Sequence, residues 1–234
     1  MNLSIKARVL LITMPLVLSL IIFAVIAIND AQKTIHNSDT IVSASTFLAK
    51  ANALLHELQK ERGASAGFMA GGDFRAILDK QRSLTDQKLT DFTAYANSHA
   101  FASLPDNLQQ VYQSVMEQMS QRSSIQARVD QKNIPPAQAI GYYTRMNATL
   151  LSLLPEISIV NSEADLSHVL TGLHNYLEMK ERAGIERAII SGALSRQAVT
   201  DANLVRIASL ISAQNSFYGL FKQYMHSDPI ESIT

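Results

Sequence analysis

Two short segments of the sequence combine a glutamate and an arginine with small residues. The first, residues 61–67, reads ERGASAG, and the second, residues 186–192, reads ERAIISG. An arginine guanidinium is a planar, permanently charged fork of hydrogen-bond donors. It forms two parallel hydrogen bonds to a carboxylate or to another planar oxyanion. The segments therefore indicate either ion pairs or sites for a small anion.

Both arginines lie on rows of residues that recur at the heptad spacing. Arg62 shares its row with Leu48, Leu55 and Met69, and Arg187 shares its row with Leu166, Leu173, Lys180 and Leu194. This spacing predicts that both guanidinium groups lie on the buried stripe of a helix. By contrast, we expect the carboxylate of Glu61 to face solvent.

A buried guanidinium is costly unless its charge is compensated, and two kinds of partner are available. In one hypothesis a glutamate of the chain closes an ion pair, and the available carboxylates are those of Glu163, Glu178, Glu181 and Glu186. In the other, a small planar anion from solution is bound between Arg62 and Arg187 and draws their two helices together. The sequence leaves both hypotheses open.

The candidate ligand-binding residues follow from the second hypothesis. Small side chains beside each arginine leave room for a ligand, and they extend the set to Arg62, Arg187, Ser65, Ser191 and Gly184. Weaker candidates are Arg182, Glu61 and Glu186. We expect Arg182 to face another side of its helix, because it precedes Arg187 by five positions.

The rest of the chain predicts helices and no strands. Gly71-Gly72, Pro105, Pro135-Pro136 and Pro155 interrupt the helical patterns. We expect a first helix that ends near residue 69, followed by helices over 74–98, 107–131, 137–153, from about 162 to 194, and from 200 onward. The fold class is all-α, with antiparallel helices joined by short loops in one or more bundles.

The amino-terminal segment predicts a membrane anchor. Residues 9–28, VLLITMPLVLSLIIFAVIAI, carry no charge, and a helix of that length spans about 30 Å, the thickness of the hydrocarbon core. Lys6 and Arg8 precede it. We expect residues 1–8 in the cytoplasm, a single transmembrane helix over 9–28, and residues 29–234 as a periplasmic domain at a bacterial inner membrane. A cleaved signal peptide is the alternative.

Composition excludes several classes of function. The 20 basic and 20 acidic side chains balance, so the chain has no electrostatic footprint for nucleic acid, and we expect none as a partner. The absence of cysteine excludes disulfides and thiolate metal sites. The six histidines show no metal-ligand spacing, and no nucleophile or phosphate-loop motif occurs. We therefore expect no enzyme, no cofactor and no metal.

The stretch LLHELQKERGASAGFMAGG, followed by GIERAIISGAL, resembles the NIT family of nitrate- and nitrite-sensing domains. The resemblance covers most of residues 30–234. It implies an all-helical sensor that binds nitrate or nitrite through arginines of the two motifs, which are Arg62 and Arg187 here. Domains of this family occur in bacterial chemoreceptors, sensor kinases and one nitrate-responsive antiterminator, and we expect a chemoreceptor or sensor kinase as the whole protein.

With the predicted anchor, these implications give a complete functional hypothesis. The domain would bind the anion outside the membrane and pass a signal through its first helix to a chemotaxis or kinase output. We expect a homodimer, downstream signalling proteins as partners, and a chain that ends before the last helix of its domain. The alternative is a membrane-anchored helical scaffold in which both arginines form structural ion pairs.

Overall fold

The structure, a computed structural model, describes the backbone of residues 5–160, 164–195 and 198–226. Side chains are described for residues 22–29, 32, 38–158, 167–194 and 198–225. The chain divides into two units, Met1–Val42 and Ser43–Thr234. Within the first unit the described side chains of residues 22–29 are exposed. All that follows on the core and the site concerns the second unit.

Nine helices occur in the described ranges, and those ranges contain no strand. They are α1 (Ile5–Met69), α2 (Arg75–Ala96), α3 (His99–Ala102), α4 (Asp106–Met119), α5 (Arg122–Asp130), α6 (Pro136–Leu151), α7 (Leu153–Val160), α8 (Ala164–Ser195) and α9 (Asp201–His226). The prediction of an all-helical bundle is confirmed. The helix expected over 107–131 is two helices, because the chain turns at Ser120 and Gln121.

Local sequence explains where the helices around the site begin and end. Gly71 has a φ of 94°, a conformation that a residue with a Cβ rarely adopts. The Gly72 amide donates to the Gly67 carbonyl and the Gly71 amide to the Phe68 carbonyl, the bond pattern that closes a helix at a left-handed glycine. Pro136 occupies the first turn of α6, where its missing N–H costs nothing.

The core of the second unit forms on the apolar face of α1. Phe47 lies 5.2 Å from the ring of Phe92 and 5.0 Å from the ring of Phe101, so α1, α2 and α3 meet in an aromatic cluster. About two and three turns after Phe47, Leu54 and Leu58 are fully buried. This packing fixes the next turn of α1, which carries the first arginine motif.

The expected membrane span is not supported. In the portion of the chain that the structure describes, no helix combines the length and the apolarity that crossing a bilayer requires. Of the predicted span over 9–28, residues 9–21 lie outside the described side chains.

Candidate functional site

Arg62 is buried and paired with a carboxylate of the chain. Its side chain and that of Glu181 are each 1% exposed. Arg62 Nη1 donates to Glu181 Oε1, and Nη2 donates to Oε2 at 3.2 Å. Nη1 also donates to the hydroxyl of Thr144 at 3.1 Å. The burial of Arg62 on the core stripe is confirmed, and its partner is one of the glutamates that the ion-pair hypothesis proposed.

Glu181 accepts hydrogen bonds from donors on two other helices, α1 and α6. Besides Arg62, it accepts from Gln59 Nε2 at 2.9 Å and from Asn147 Nδ2 at 3.2 Å. A buried ion pair is tolerated when the remaining lone pairs are satisfied in this way. The pair therefore ties α1, α6 and α8 together.

Gly184 makes room for this pair on α8. A Cβ at residue 184 would lie 2.8 Å from Arg62 Nη2. Because Gly184 lies almost one turn after Glu181, its missing side chain lets the guanidinium approach α8 closely. The small residue expected beside an arginine is thus present, although the arginine that it accommodates is Arg62.

The neighbouring Glu61 is also buried, so the expectation that it faces solvent is wrong. Its side chain is 0% exposed and pairs with Arg122 of α5, whose Nη2 donates to Oε2 at 2.8 Å. Glu61 Oε1 further accepts from Gln126 Nε2 at 2.8 Å and from the Tyr143 hydroxyl at 2.9 Å. Glu61 is buried because two helices pack against this part of α1. Arg62 contacts α8, and Glu61 contacts α5 on the other side.

This environment shifts the pKa of Glu61. Burial alone would raise the pKa of its carboxyl, but the charge of Arg122 and the hydrogen bonds from Arg122 and Gln126 outweigh burial. The resulting pKa lies below the ordinary value of 4.5. Arg122 was not among the sequence candidates. Its spacing to Ile125 and Val129, which pack in the core, was the signal that could have identified it.

A cleft of about 850 Å³ opens beside the Arg62–Glu181 pair. It lies between α1, the start of α2 and α8. Five basic side chains line it, those of His56, Lys60, Arg62, Lys180 and Arg187, and no carboxylate does. Such a surface attracts anions.

Arg187 lies at the exposed side of this cleft. Its side chain is exposed, so the prediction that it occupies a buried stripe of α8 is wrong. The buried stripe of α8 consists instead of Leu170, Leu177, Glu181, Ile185 and Ala188. Among the described residues Arg187 makes no ion pair, whereas Arg62 does.

The cationic side chains of the cleft are close enough to influence one another. Burial lowers the pKa of Lys180, Glu181 raises it, and the charges of Lys60 and Arg187 lower it further. The net effect is a Lys180 pKa below its ordinary value of 10.5. Burial is the largest cause of this shift, and the nearby charges of Lys60 and Arg187 add to it.

His56 belongs to the same cluster. Its Nδ1 lies 3.2 Å from Lys180 Nζ. Burial lowers the pKa of His56, the charges of Lys180 and Lys60 lower it further, and Glu57 partly opposes them. The net pKa of His56 lies below its ordinary value of 6.5, so the imidazole gains its proton at a lower pH than a free histidine does.

The other predicted site residues divide between the cleft and its surroundings. Gly184 and Ser191 line the cleft together with Arg187. Ser65 is buried beneath it, and its hydroxyl acts to lower the pKa of Tyr143, although burial raises that pKa more strongly. Arg182 and Glu186 lie on a different side of α8.

Contacts with α9 account for those last two residues. Arg182 pairs with Glu178 at 2.8 Å, and its guanidinium lies 5.4 Å from the centre of the Phe217 ring. Glu186 accepts from Gln214 Nε2 at 2.5 Å. Neither residue lines the cleft, so both act in the packing of α8 against α9.

The helical fold and the cationic cleft together describe a domain suited to binding an anion. The family model for nitrate and nitrite sensing domains, NIT, matches residues 53–233. The chain belongs to this family, as its two arginine motifs indicated.

Two relatives extend the comparison. The chain is 24% identical over 184 residues to a nitrate regulatory protein of Klebsiella oxytoca, a match that covers 78% of this chain and 46% of the relative. It also resembles the structure of the NasR transcription antiterminator, with a TM-score of 0.75 and 22% identity over 89% of this chain and 57% of that one. The chain thus spans about half the length of these relatives.

These relatives correct several expectations drawn from the sequence. One is a regulatory protein and the other a transcription antiterminator. The predictions of a chemotaxis receptor or sensor kinase, of a membrane-spanning signal path and of a periplasmic domain at the inner membrane are therefore wrong. The exclusion of nucleic acid is corrected as well, because a protein of this fold acts in transcription. The homodimer stays a prediction.

Proposed function

We propose that this chain is the anion-sensing domain of a nitrate- or nitrite-responsive regulator, and that the anion binds in the cationic cleft beside Arg187. Membership of the NIT family supports the identity of the ligand, and the nitrate regulatory protein supports the regulatory role. The observation that carries the proposal is the cleft itself, where Lys180 and Arg187 form no ion pair among the described residues, whereas Arg62 and Lys60 are paired with Glu181 and Glu57. It is a binding domain and not an enzyme.

Arg187 is the principal ligand-binding residue in this proposal, with Lys180 and Lys60 beside it. Arg187 is exposed to the cleft and makes no ion pair among the described residues. Its guanidinium presents two parallel donors, which match two oxygens of a planar anion such as nitrate or nitrite. Lys60 Nζ lies 3.0 Å from Glu57 Oε1, and this ion pair compensates part of its positive charge.

Arg62 has a structural role beneath the anion. Breaking a buried ion pair costs about 3–5 kcal/mol, because the abandoned charge stays in the interior. An anion with a micromolar Kd supplies only about 8 kcal/mol in total. Displacing Glu181 would consume much of that free energy. The anion therefore lies beside the Arg62–Glu181 pair and does not replace Glu181. In this revision of the sequence-based hypothesis, Arg187 binds the anion and Arg62 does not.

Binding would change the packing of α8 against α1. Lys180 and Arg187 on α8 and Lys60 on α1 carry like charges that repel one another, and this repulsion adds to burial in lowering the pKa of Lys180, against the opposing charge of Glu181. An anion between them removes that repulsion and favours the arrangement in which the two helices are close. A regulator needs only such a shift in population between two packings.

A thermal-shift experiment with the full chain tests the proposal. Sodium nitrate, nitrite, chloride, acetate and sulfate are compared at one constant ionic strength. A ligand that binds only the native state raises Tm, by the equivalent of about 2.7 kcal/mol at a hundredfold excess over Kd. We expect nitrate or nitrite to raise Tm well above chloride. Equal shifts with all five salts would show that the cleft does not select these anions.

A further inference from the structure

A second cavity, of about 580 Å³, lies next to the cleft and shares Ala66 and Ala188 with it as lining residues. It is formed by the end of α1, the start of α6, the last turns of α8 and the start of α9. Its walls are apolar, with Met69, Ile140, Ile185 and Ile189 as the largest side chains. The volume lies within the range of sites that hold small organic molecules, about 300–1,000 Å³.

Two arginines line this apolar cavity. Arg145 comes from α6 and Arg206 from α9, both are exposed, and no carboxylate lines the cavity. Within the described ranges neither guanidinium makes an ion pair. Gly141 leaves space for the first of them, since a Cβ there would lie 3.5 Å from Arg145 Nη1. The cavity therefore combines an apolar interior with two positive charges that lack a described counter-ion.

We propose that this cavity binds an organic carboxylate with an apolar body. The aliphatic walls would cover the body of the ligand, and the guanidinium groups of Arg145 and Arg206 would each donate to the carboxylate. Nitrate does not fit this description, because it has no apolar part to bury. The ligand of this site thus differs in class from the ligand of the cleft at Arg187, and the proposal is independent of nitrate binding.

The charge of the ligand follows from the contents of the cavity. A neutral molecule would form no charge-assisted hydrogen bond with either exposed guanidinium, and a cation would be repelled by both. Burial of apolar surface contributes roughly 25 cal/mol per Å², so the body of the ligand supplies affinity while the arginines select its charge. A simple aliphatic acid satisfies both requirements.

Titration calorimetry with octanoate, octanol and octylamine tests the proposal on the full chain. We expect octanoate to bind, octanol to bind at least roughly tenfold more weakly, and octylamine not to bind measurably. The paired variant R145Q/R206Q should lose roughly tenfold or more in octanoate affinity and keep the nitrate response of the wild type. Circular dichroism checks that it is folded.

The control variant is R128Q, which removes a half-buried arginine of α5 that does not line the cavity. It should bind octanoate like the wild type. Equal affinity for octanoate and octanol, or unchanged octanoate affinity in a folded R145Q/R206Q variant, would overturn the proposal. Loss of octanoate binding in R128Q to the same extent would overturn it too, because the effect would then reflect overall charge.

Discussion

Arg62 and Glu181 form an ion pair in which both side chains are 99% removed from solvent, and Glu61, the residue before Arg62, pairs with a different helix. Two adjacent residues of α1 thus bind α8 on one side, through Glu181, and α5 on the other, through Arg122. The first motif of the sequence is therefore a structural junction. The second motif, with Arg187, supplies the exposed charge.

The ion pair predicts a large cost for removing its carboxylate. Replacing Glu181 by Gln leaves the buried charge of Arg62 uncompensated, so we expect the free energy of unfolding to fall by about 3–5 kcal/mol. Urea denaturation followed by circular dichroism measures it. The control is Asp79→Asn in the exposed pair with Arg75, for which we expect at most about 1 kcal/mol.

A variant that removes both charges tests how much the ion pair itself contributes to stability. Because apolar residues often replace a buried ion pair without loss, the double variant R62M/E181L should be more stable than E181Q alone. A loss below about 1 kcal/mol for E181Q would show that Arg62 is not held in a low-dielectric site. A double variant less stable than E181Q would show that the pair is net stabilising.

The close approach of Arg62 to Gly184 predicts opposite effects on stability for alanine at residue 184 and alanine at residue 63. Gly184→Ala places a Cβ 2.8 Å from Arg62 Nη2, so the guanidinium must shift within its network and stability should fall by about 1–3 kcal/mol. Gly63→Ala is the matched control, because nothing lies within 4 Å of a Cβ at that position. It should stabilise α1 by about 0.5–1 kcal/mol. Thermal unfolding of both variants measures the difference, and equal effects would contradict the close approach.

Glu61 predicts a specific loss of stability in acid. Its folded-state pKa lies below the ordinary 4.5, so the unfolded chain binds the proton first. The stability that Glu61 contributes is then complete above pH 4.5 and is lost as the pH falls through the folded-state pKa. Urea titrations between about pH 6 and 3 should show wild type losing its advantage over Glu61→Gln towards low pH. Parallel curves for the two proteins would contradict the assignment.

His56 predicts that nitrate binds more tightly in mild acid. Burial and the charges of Lys180 and Lys60, which face its imidazole, lower its pKa below the ordinary 6.5 against the opposing charge of Glu57. Protonation therefore adds a positive charge to the cleft only at lower pH. Nitrate affinity should therefore rise as the pH falls through that pKa, and a bound anion should promote proton uptake. His56→Asn should remove the dependence. Identical pH profiles in calorimetry would show that His56 does not respond to the anion.

The sequence was informative about the helices because their signals are local. Gly71 and Pro136 mark helix ends through their own backbone chemistry, and the heptad row placed Arg62 in the core before any partner was known. The row through Arg187 was misleading. Leu173 and Leu194 share it, yet both are exposed, because the stripe that α8 buries is turned towards Glu181 and Ile185.

The sequence could not predict which glutamate pairs with Arg62, because the choice depends on how distant helices pack. Glu181 and Arg62 are 119 positions apart, and four glutamates met the requirement of an opposite charge equally well. Only the packing of α1 against α8, with Gly184 at the contact, selects one of them. Similarly, Arg122 is paired with Glu61 through the placement of α5, which the expected single helix over 107–131 did not include.

The exposed charge of Arg187 is the central element of the proposed anion site. Titration calorimetry of nitrate against wild type, Arg187→Gln and the control Arg182→Gln, which lies outside the cleft, tests it most directly. We predict that Arg187→Gln stays folded and loses roughly tenfold or more in affinity, while Arg182→Gln binds like the wild type. Undiminished nitrate binding by a folded Arg187→Gln variant would contradict the account.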